Sequence, residues 1–301
     1  TEYGDGLYVR GTNEGSIVNT GTIDAGGSGI EVRGRIDGGM VTGRVATPVG
    51  DDTPVVPVPA NNAAITNNGT ITAAEDGIRV TGPSVPIYDF AVAGVAPELP
   101  APIDLPPTNG TDGVITNAGS IVAGYSGINV GSGSVLIKMP YPPSGPTVAN
   151  AGLVQNLAGA SITAAEDGIA LGGENASTGI VRNAGTIVAG YNGITVRNDS
   201  RVLKKALPDD PAPTLTVANS GLIENAVGAS ITAEDDGIAL GGENASTGIV
   251  RNAGTINAEG SGIVVGPPAA ARAAALDGTS VTANSGLIEN TLGATITADY
   301  H

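Results

Sequence analysis

The stretch that decides the fold is GIALGGENASTGIVRNAGTI, residues 168–187, which recurs without change at residues 237–256. Short apolar runs alternate in it with Asn, Gly and Ser, the residues that separate strands by turns. It carries two motifs, Asn-x-Gly-x-Ile from Asn183 and Gly-Ile-x-Leu from Gly168. Self-similarity of this kind indicates a repeat architecture in which each unit packs on the next.

The asparagine motif recurs along the whole chain. Asn-x-Gly-x-[Ile/Val] begins at Asn19, Asn67, Asn117, Asn150, Asn183, Asn219, Asn252 and Asn284. Each copy lies among strand-like pieces with period-two alternation, which predicts one turn of a three-sided coil. We expect these asparagines to form one structural ladder, with side-chain amides bonded from coil to coil. The same register predicts one aliphatic ladder: Ile23, Ile71, Ile121, Val154, Ile187, Ile223, Ile256 and Ile288.

The predicted fold is all-β, a right-handed parallel β-helix (β-solenoid) of about eight coils that forms a single domain over residues 1–301. All 20 prolines lie outside the coil motifs. Because proline cannot donate to a strand ladder, the proline-rich segments are predicted to be loop excursions from one edge. Their approximate bounds are 33–62, 82–112, 131–147, 197–215 and 266–280.

Composition narrows the choice of partners. The chain has no Cys, no Trp and a single Phe, so an interior of Ile, Val, Leu and Ala is expected. A formal net charge of −16 disfavours nucleic acid as a partner. No apolar run is long enough to predict a membrane-spanning segment.

Acidic residues alternate along the second motif. The residue before its glycine is, in chain order, Asp5, Ser28, Asp76, Ser126, Asp167, Asn192, Asp236 and Ser261. We expect solvated turns here, with like charges kept two coils apart, and Asp76, Asp167 and Asp236 are weak calcium candidates. Because these carboxylates recur with the coil, whereas an active site is normally one irregular place, we expect no catalytic residue, no cofactor and no enzyme activity.

The repeats resemble those of a known class of proteins. Stretches such as NAGTIVAGYNGITV, residues 183–196, are similar to repeats in the right-handed parallel β-helix passengers of bacterial autotransporters and related surface fibre proteins. The resemblance implies an extracellular or cell-surface location and does not fix an activity. It leaves open a structural subunit, an adhesin or carbohydrate-binding passenger, and, least favoured, a polysaccharide-degrading enzyme. For the second of these, Tyr125 and Tyr191 at equivalent coil positions are the sequence signal.

The two ends of the chain carry complementary motifs. ITADYH, residues 296–301, lacks the Asp-Gly-Ile that completes ITAAEDGI at residues 162–169, whereas Asp5-Gly6-Leu7 supplies it near the start. This predicts a head-to-tail homopolymer, with proline-rich loops contacting other subunits, neighbouring filaments or a surface polysaccharide. The alternative is that the chain is an excerpt of a longer protein. The predicted assembly interface comprises Tyr3, Asp5, Leu7, Val9, Leu287, Ile288, Ile296 and Tyr300.

Overall fold

The computed structural model describes residues 4–34, 41–42, 59–82, 85–88, 109–131, 135–137, 148–197, 217–266 and 283–299. In these residues each strand pairs in parallel with the equivalent strand of the next coil, and every regular element is a strand. The prediction of an all-β parallel β-helix is therefore confirmed.

Three eight-stranded sheets form the sides of the rod. Sheet 1 comprises Ile17–Asn19, Ala64–Asn67, Val114–Asn117, Leu153–Asn156, Ile180–Asn183, Leu222–Asn225, Ile249–Asn252 and Leu287–Asn290, which define coils 1 to 8. Sheet 2 comprises Thr22–Ala25, Thr70–Ala73, Ser120–Ala123, Ser161–Ala164, Thr186–Ala189, Ser230–Ala233, Thr255–Ala258 and Thr295–Ala298. Sheet 3 comprises Leu7–Arg10, Ile30–Arg33, Ile78–Thr81, Ile128–Gly131, Ile169–Gly172, Ile194–Val196, Ile238–Leu240 and Ile263–Val265. The first strand of sheet 3, Leu7–Arg10, precedes coil 1. The eight coils agree with the predicted number.

Two shorter sheets complete the described strands. A five-stranded corner sheet between sheets 3 and 1 comprises Asn109–Thr111, Val148–Asn150, Glu174–Asn175, Val217–Asn219 and Glu243–Asn244. A three-stranded outer sheet comprises Val41–Thr42, Val85–Tyr88 and Val135–Ile137.

The outer sheet corrects the prediction that the first three excursions are loops. Its middle strand even contains Pro86, in register with Leu136, although proline lacks the N–H that a ladder uses. The predicted bounds were also too wide, because Asn61 and Asn109–Thr111 already belong to the coil corner. Apart from these residues and a few at the margins of the predicted bounds, the excursions lie outside the described residues.

The core is aliphatic, as expected. Inward residues of all three sheets, such as Ile65, Ile121 and Ile169, are fully buried in a single cluster. The predicted aliphatic ladder was wrong in detail, because it joined two ladders. Val154, Ile223 and Ile288 belong to sheet 1, and the remaining predicted members stack in sheet 2 with Ile162, Ile231 and Ile296.

A glycine at the start of each sheet 3 strand lets successive coils approach closely. A Cβ placed on Gly168 would meet Cγ2 of Ile187 and would lie 2.5 Å from the carbonyl oxygen of Gly193, both in the next coil. The equivalent glycines likewise approach Cγ2 of an isoleucine in the next coil, which explains why Gly-Ile recurs with the coil.

Candidate functional site

Two asparagine ladders, rather than one, run along the rod. The first lies at the corner between sheets 1 and 2 and contains Asn19, Asn67, Asn117, Asn156, Asn183, Asn225, Asn252 and Asn290. The second lies at the corner sheet and contains Asn13, Asn61, Thr111, Asn150, Asn175, Asn219, Asn244 and Asn284. The predicted single ladder is corrected accordingly: Asn150, Asn219 and Asn284 belong to the second.

The amides of both ladders point the same way along the rod. In each asparagine pair Nδ2 of the lower coil donates to Oδ1 of the next coil, as from Asn156 to Asn183 at 2.9 Å and from Asn175 to Asn219 at 2.8 Å. Such chains of hydrogen bonds polarise one another. Consequently the rod is polar: coil 8 presents amide donors and coil 1 presents amide acceptors.

The alternating aspartates form a third directed column. Asp76 Oδ1 accepts the backbone N–H of Ser126 at 3.1 Å, and Asp236 Oδ1 accepts that of Ser261 at 2.8 Å, each from the next coil. Asp76 and Asp167 are only 2% and 1% exposed. The expectation of solvated turns was therefore wrong for these two residues.

The surroundings of these carboxylates bear on the calcium hypothesis. Asp76 Oδ2 accepts from Nδ2 of Asn129 at 3.0 Å, and Asp167 Oδ2 pairs with the Arg197 guanidinium at 2.7 Å. Donors thus already occupy the oxygens that a cation would need. Among the described residues, no group of three or more His, Cys, Asp or Glu is placed to hold a metal ion.

Burial changes the proton affinity of several acids. Desolvation raises the pKa of Asp76, opposed by the Ser126 N–H and by Arg79. Desolvation also raises the pKa of Glu31, helped by a side-chain hydrogen bond with Asp5 and opposed by Arg33 at 2.8 Å. Sequence reasoning missed Glu31, because an acid at an outward strand position is normally solvated.

The predicted assembly residues fall in three places. Leu7 and Val9 are inward residues of the leading strand of sheet 3, and Leu7 is 37% exposed although its partner Ile30 is fully buried. Ile288 and Ile296 end the two aliphatic ladders, at 40% and 36% exposure. Asp5 is exposed beside the leading strand and accepts the Ser28 N–H at 2.9 Å.

Leu287 differs from the other predicted assembly residues. It occupies an outward position of sheet 1, so it lies on the side of the rod rather than on its end face. Tyr3 and Tyr300 lie outside the described residues.

An open groove of about 640 Å³ runs along the corner between sheets 2 and 3. Small residues such as Ala165, Ala189 and Gly190 line it, together with Glu234 and Glu259. The turn beside it carries Tyr125 and Tyr191, which are 50% and 56% exposed. Backbone bonds link Tyr125 to Glu166 and Glu166 to Tyr191, so the two rings stand two coils apart with a carboxylate between them.

Comparison with protein-family models, with curated proteins and with solved structures found no match for this chain. The described residues hold no helix that is long and apolar enough to cross a membrane. Function must therefore be argued from the geometry of the coils, their ends and their outer faces.

Proposed function

We propose that this protein is a structural subunit of an extracellular or cell-surface filament, in which copies stack end to end and continue the β-helix. The observation that carries the proposal is the common polarity of the two asparagine ladders. The cell-surface setting rests on the resemblance of the repeats to those of surface fibre proteins.

Polarity makes the two end faces complementary. Amide N–H groups of Asn284 and Asn290 lie on the donor side of coil 8, and Oδ1 atoms of Asn13 and Asn19 lie on the acceptor side of coil 1. Stacking coil 8 of one copy below coil 1 of another joins donors to acceptors, whereas two like ends oppose donors or acceptors. Such a heterologous contact does not close and propagates as a fibre.

Apolar surface at the ends favours the same contact. Leu7, Ile288 and Ile296 are partly exposed, whereas their counterparts in the inner coils are buried. One coil cross-section would cover about 600 to 800 Å² on each partner, which is the size of a standard specific interface. Unpaired strand edges add backbone hydrogen bonds that set the register.

Electron microscopy of a matched pair of variants tests end stacking. Ile296→Asp places a carboxylate on the end face, and Val188→Asp places one at a similarly exposed position, 42%, on the side of the rod. We expect wild-type protein and the Val188 variant to form filaments and the Ile296 variant to remain as short rods with unchanged circular dichroism. Short rods from the wild type, or filaments from the Ile296 variant, would overturn the proposal.

A second function, carbohydrate binding, is favoured by the exposed tyrosines beside the groove. Aromatic faces two coils apart, about 10 Å, suit a linear glycan lying along the rod axis, with Glu166 accepting its hydroxyl groups. Native electrophoresis in gels containing soluble glycans tests this function. Retardation that is lost in Tyr191→Ala but kept in the control Tyr8→Ala is expected, and equal mobility in every glycan gel would exclude it.

A further inference from the structure

The outer face of sheet 1 carries a continuous stripe of large aliphatic side chains. The first residue of each strand from coil 3 to coil 8 is Val114, Leu153, Ile180, Leu222, Ile249 and Leu287, in register. Val114 and Ile180 are 37% exposed and Leu287 is 46% exposed.

Sheet 2 shows that this stripe is not a requirement of the coil. Its strands begin at the corresponding position with Ser or Thr in all eight coils, as at Thr186 and Ser230. A solvated sheet face is normally polar, and a contiguous apolar patch on such a face marks an interaction surface. We therefore expect another protein surface to cover the stripe on sheet 1.

Charges beside the stripe indicate which surface covers it. The third residues of the sheet 1 strands in coils 5 to 8 are Arg182, Glu224, Arg251 and Glu289. Ion pairs link them along the rod, Arg182 to Glu224 at 3.1 Å and Arg251 to Glu289 at 2.9 Å. The order of signs is plus, minus, plus, minus, so reversing the direction of the row converts every charge into its opposite.

We propose that the sheet 1 faces of two copies of this chain pack together antiparallel, about a two-fold axis between coils 6 and 7. Arg182 then faces Glu289 of the partner subunit, and Glu224 faces Arg251 of the partner subunit. A parallel arrangement would oppose like charges in every coil. A two-fold contact requires a self-complementary patch, and this row of charges is one.

The size of the face sets the strength of the contact. In this arrangement coils 5 to 8 of the two copies overlap, and four coils spaced by about 4.8 Å with strands four residues wide give a face of roughly 250 Å², with somewhat more accessible area once side chains are included. This is far below the standard of about 800 Å² per partner, so we expect a weak dimer that forms at about 100 µM. The contact is on the side of the rod and does not depend on the proposed end stacking.

Cysteine cross-linking tests the arrangement, because the chain has no native cysteine. The variants are Ile180→Cys, Leu287→Cys and, as a control on the outer face of sheet 2, Val188→Cys, each combined with Ile296→Asp so that end stacking is absent. In the antiparallel pair coil 5 lies opposite coil 8. Mild oxidation of an equal mixture of the first two variants should therefore yield disulfide-linked heterodimer, and the control should yield none.

Each other pattern of cross-links overturns the proposal. Efficient homodimers of Ile180→Cys would show a parallel arrangement. Monomers in every mixture, with a monomeric mass in sedimentation equilibrium at about 100 µM, would show that the face is unpaired at the concentration expected for such an area.

Exchanging charges distinguishes ion pairs across the dimer from ion pairs within one chain. Arg182→Glu should weaken the dimer about tenfold, since two symmetric pairs become repulsive. Adding Glu289→Arg restores opposite charges across the dimer but places like charges on adjacent strands of one chain. Recovery of dimerisation in the double variant supports the proposal, and a further loss in the double variant contradicts it.

Discussion

Replacing Asn183 with Ala tests whether the asparagine ladder holds the coils together. Its side chain is fully buried and makes four hydrogen bonds. Nδ2 donates to Asn225 Oδ1 at 2.9 Å and to the Ser230 carbonyl at 3.1 Å, while Oδ1 accepts from Asn156 at 2.9 Å and from the Gly185 N–H at 3.2 Å. The variant deprives Asn225 Oδ1 and the Gly185 N–H of a buried partner. At about 1 to 3 kcal/mol for each group, we expect the free energy of unfolding to fall by about 2 to 6 kcal/mol.

Urea denaturation followed by circular dichroism measures this loss as a lower midpoint at unchanged slope. Asn257→Ala is the matched control, because Asn257 is exposed on sheet 2, and it should change the free energy of unfolding by less than about 0.5 kcal/mol. Asn290→Ala should cost less than Asn183→Ala, since Asn290 closes the described ladder and is exposed. Equal losses at Asn183 and Asn257 would refute the ladder as a source of stability.

Two further predictions concern the glycines at the start of the sheet 3 strands and the buried carboxylate of Asp76. Gly168→Ala should cost about 3 kcal/mol by overpacking against the next coil, whereas Gly131→Ala, with nothing within 4 Å of the new Cβ, should be nearly neutral in the same assay. Burial raises the pKa of Asp76 above its ordinary 3.8, so the folded state binds this proton more tightly and the Asp76 contribution to stability falls as pH rises from 3.8 through the folded value. Wild type should therefore lose stability relative to Asp76→Asn over that range, and a difference independent of pH would contradict this assignment.

The coil count and core composition could be predicted because they depend on local patterns. Alternation of Ile with polar residues and the recurrence of Asn-x-Gly are properties of adjacent residues, and stacking them requires little information from distant parts of the chain. The excursions were located by proline alone. Strands within them escaped prediction, because a strand such as Val85–Tyr88 carries Pro86 and lacks a neighbouring asparagine motif.

The two asparagine ladders could not be told apart in the sequence, because the same Asn-x-Gly turn occurs at two corners of the rod. Asn183 and Asn150 begin the same motif, yet they occupy different ladders. The partners of Asn183 are Asn156 and Asn225, which were missed because the turn after each has one more residue before its glycine. Those glycines, Gly159 and Gly228, adopt φ values of 81° and 78°. The assignment depends on which strand each turn follows, so register between coils decides it.

The burial of the aspartates could not be predicted from neighbouring residues either. An Asp before Gly normally indicates a solvated turn, but Asp76 is held by an N–H group 50 residues later in the chain. The N–H partner of each aspartate can be identified only when the coils are stacked. The alternation of aspartate with a neutral residue in the sequence corresponds to a column in which each aspartate accepts an N–H from the next coil.

Folding accounts for the inward residues and the corners, and this makes the outer aliphatic stripe informative. Isoleucines fill the core, asparagines and aspartates join the coils, and glycines set their approach. None of these roles needs Ile180 or Leu222 on the solvent side, where sheet 2 has Thr186 and Ser230. An outward aliphatic ladder persists through successive coils, beside charges whose order is self-complementary. The proposed contact between rods would account for its persistence, which end stacking alone would not require.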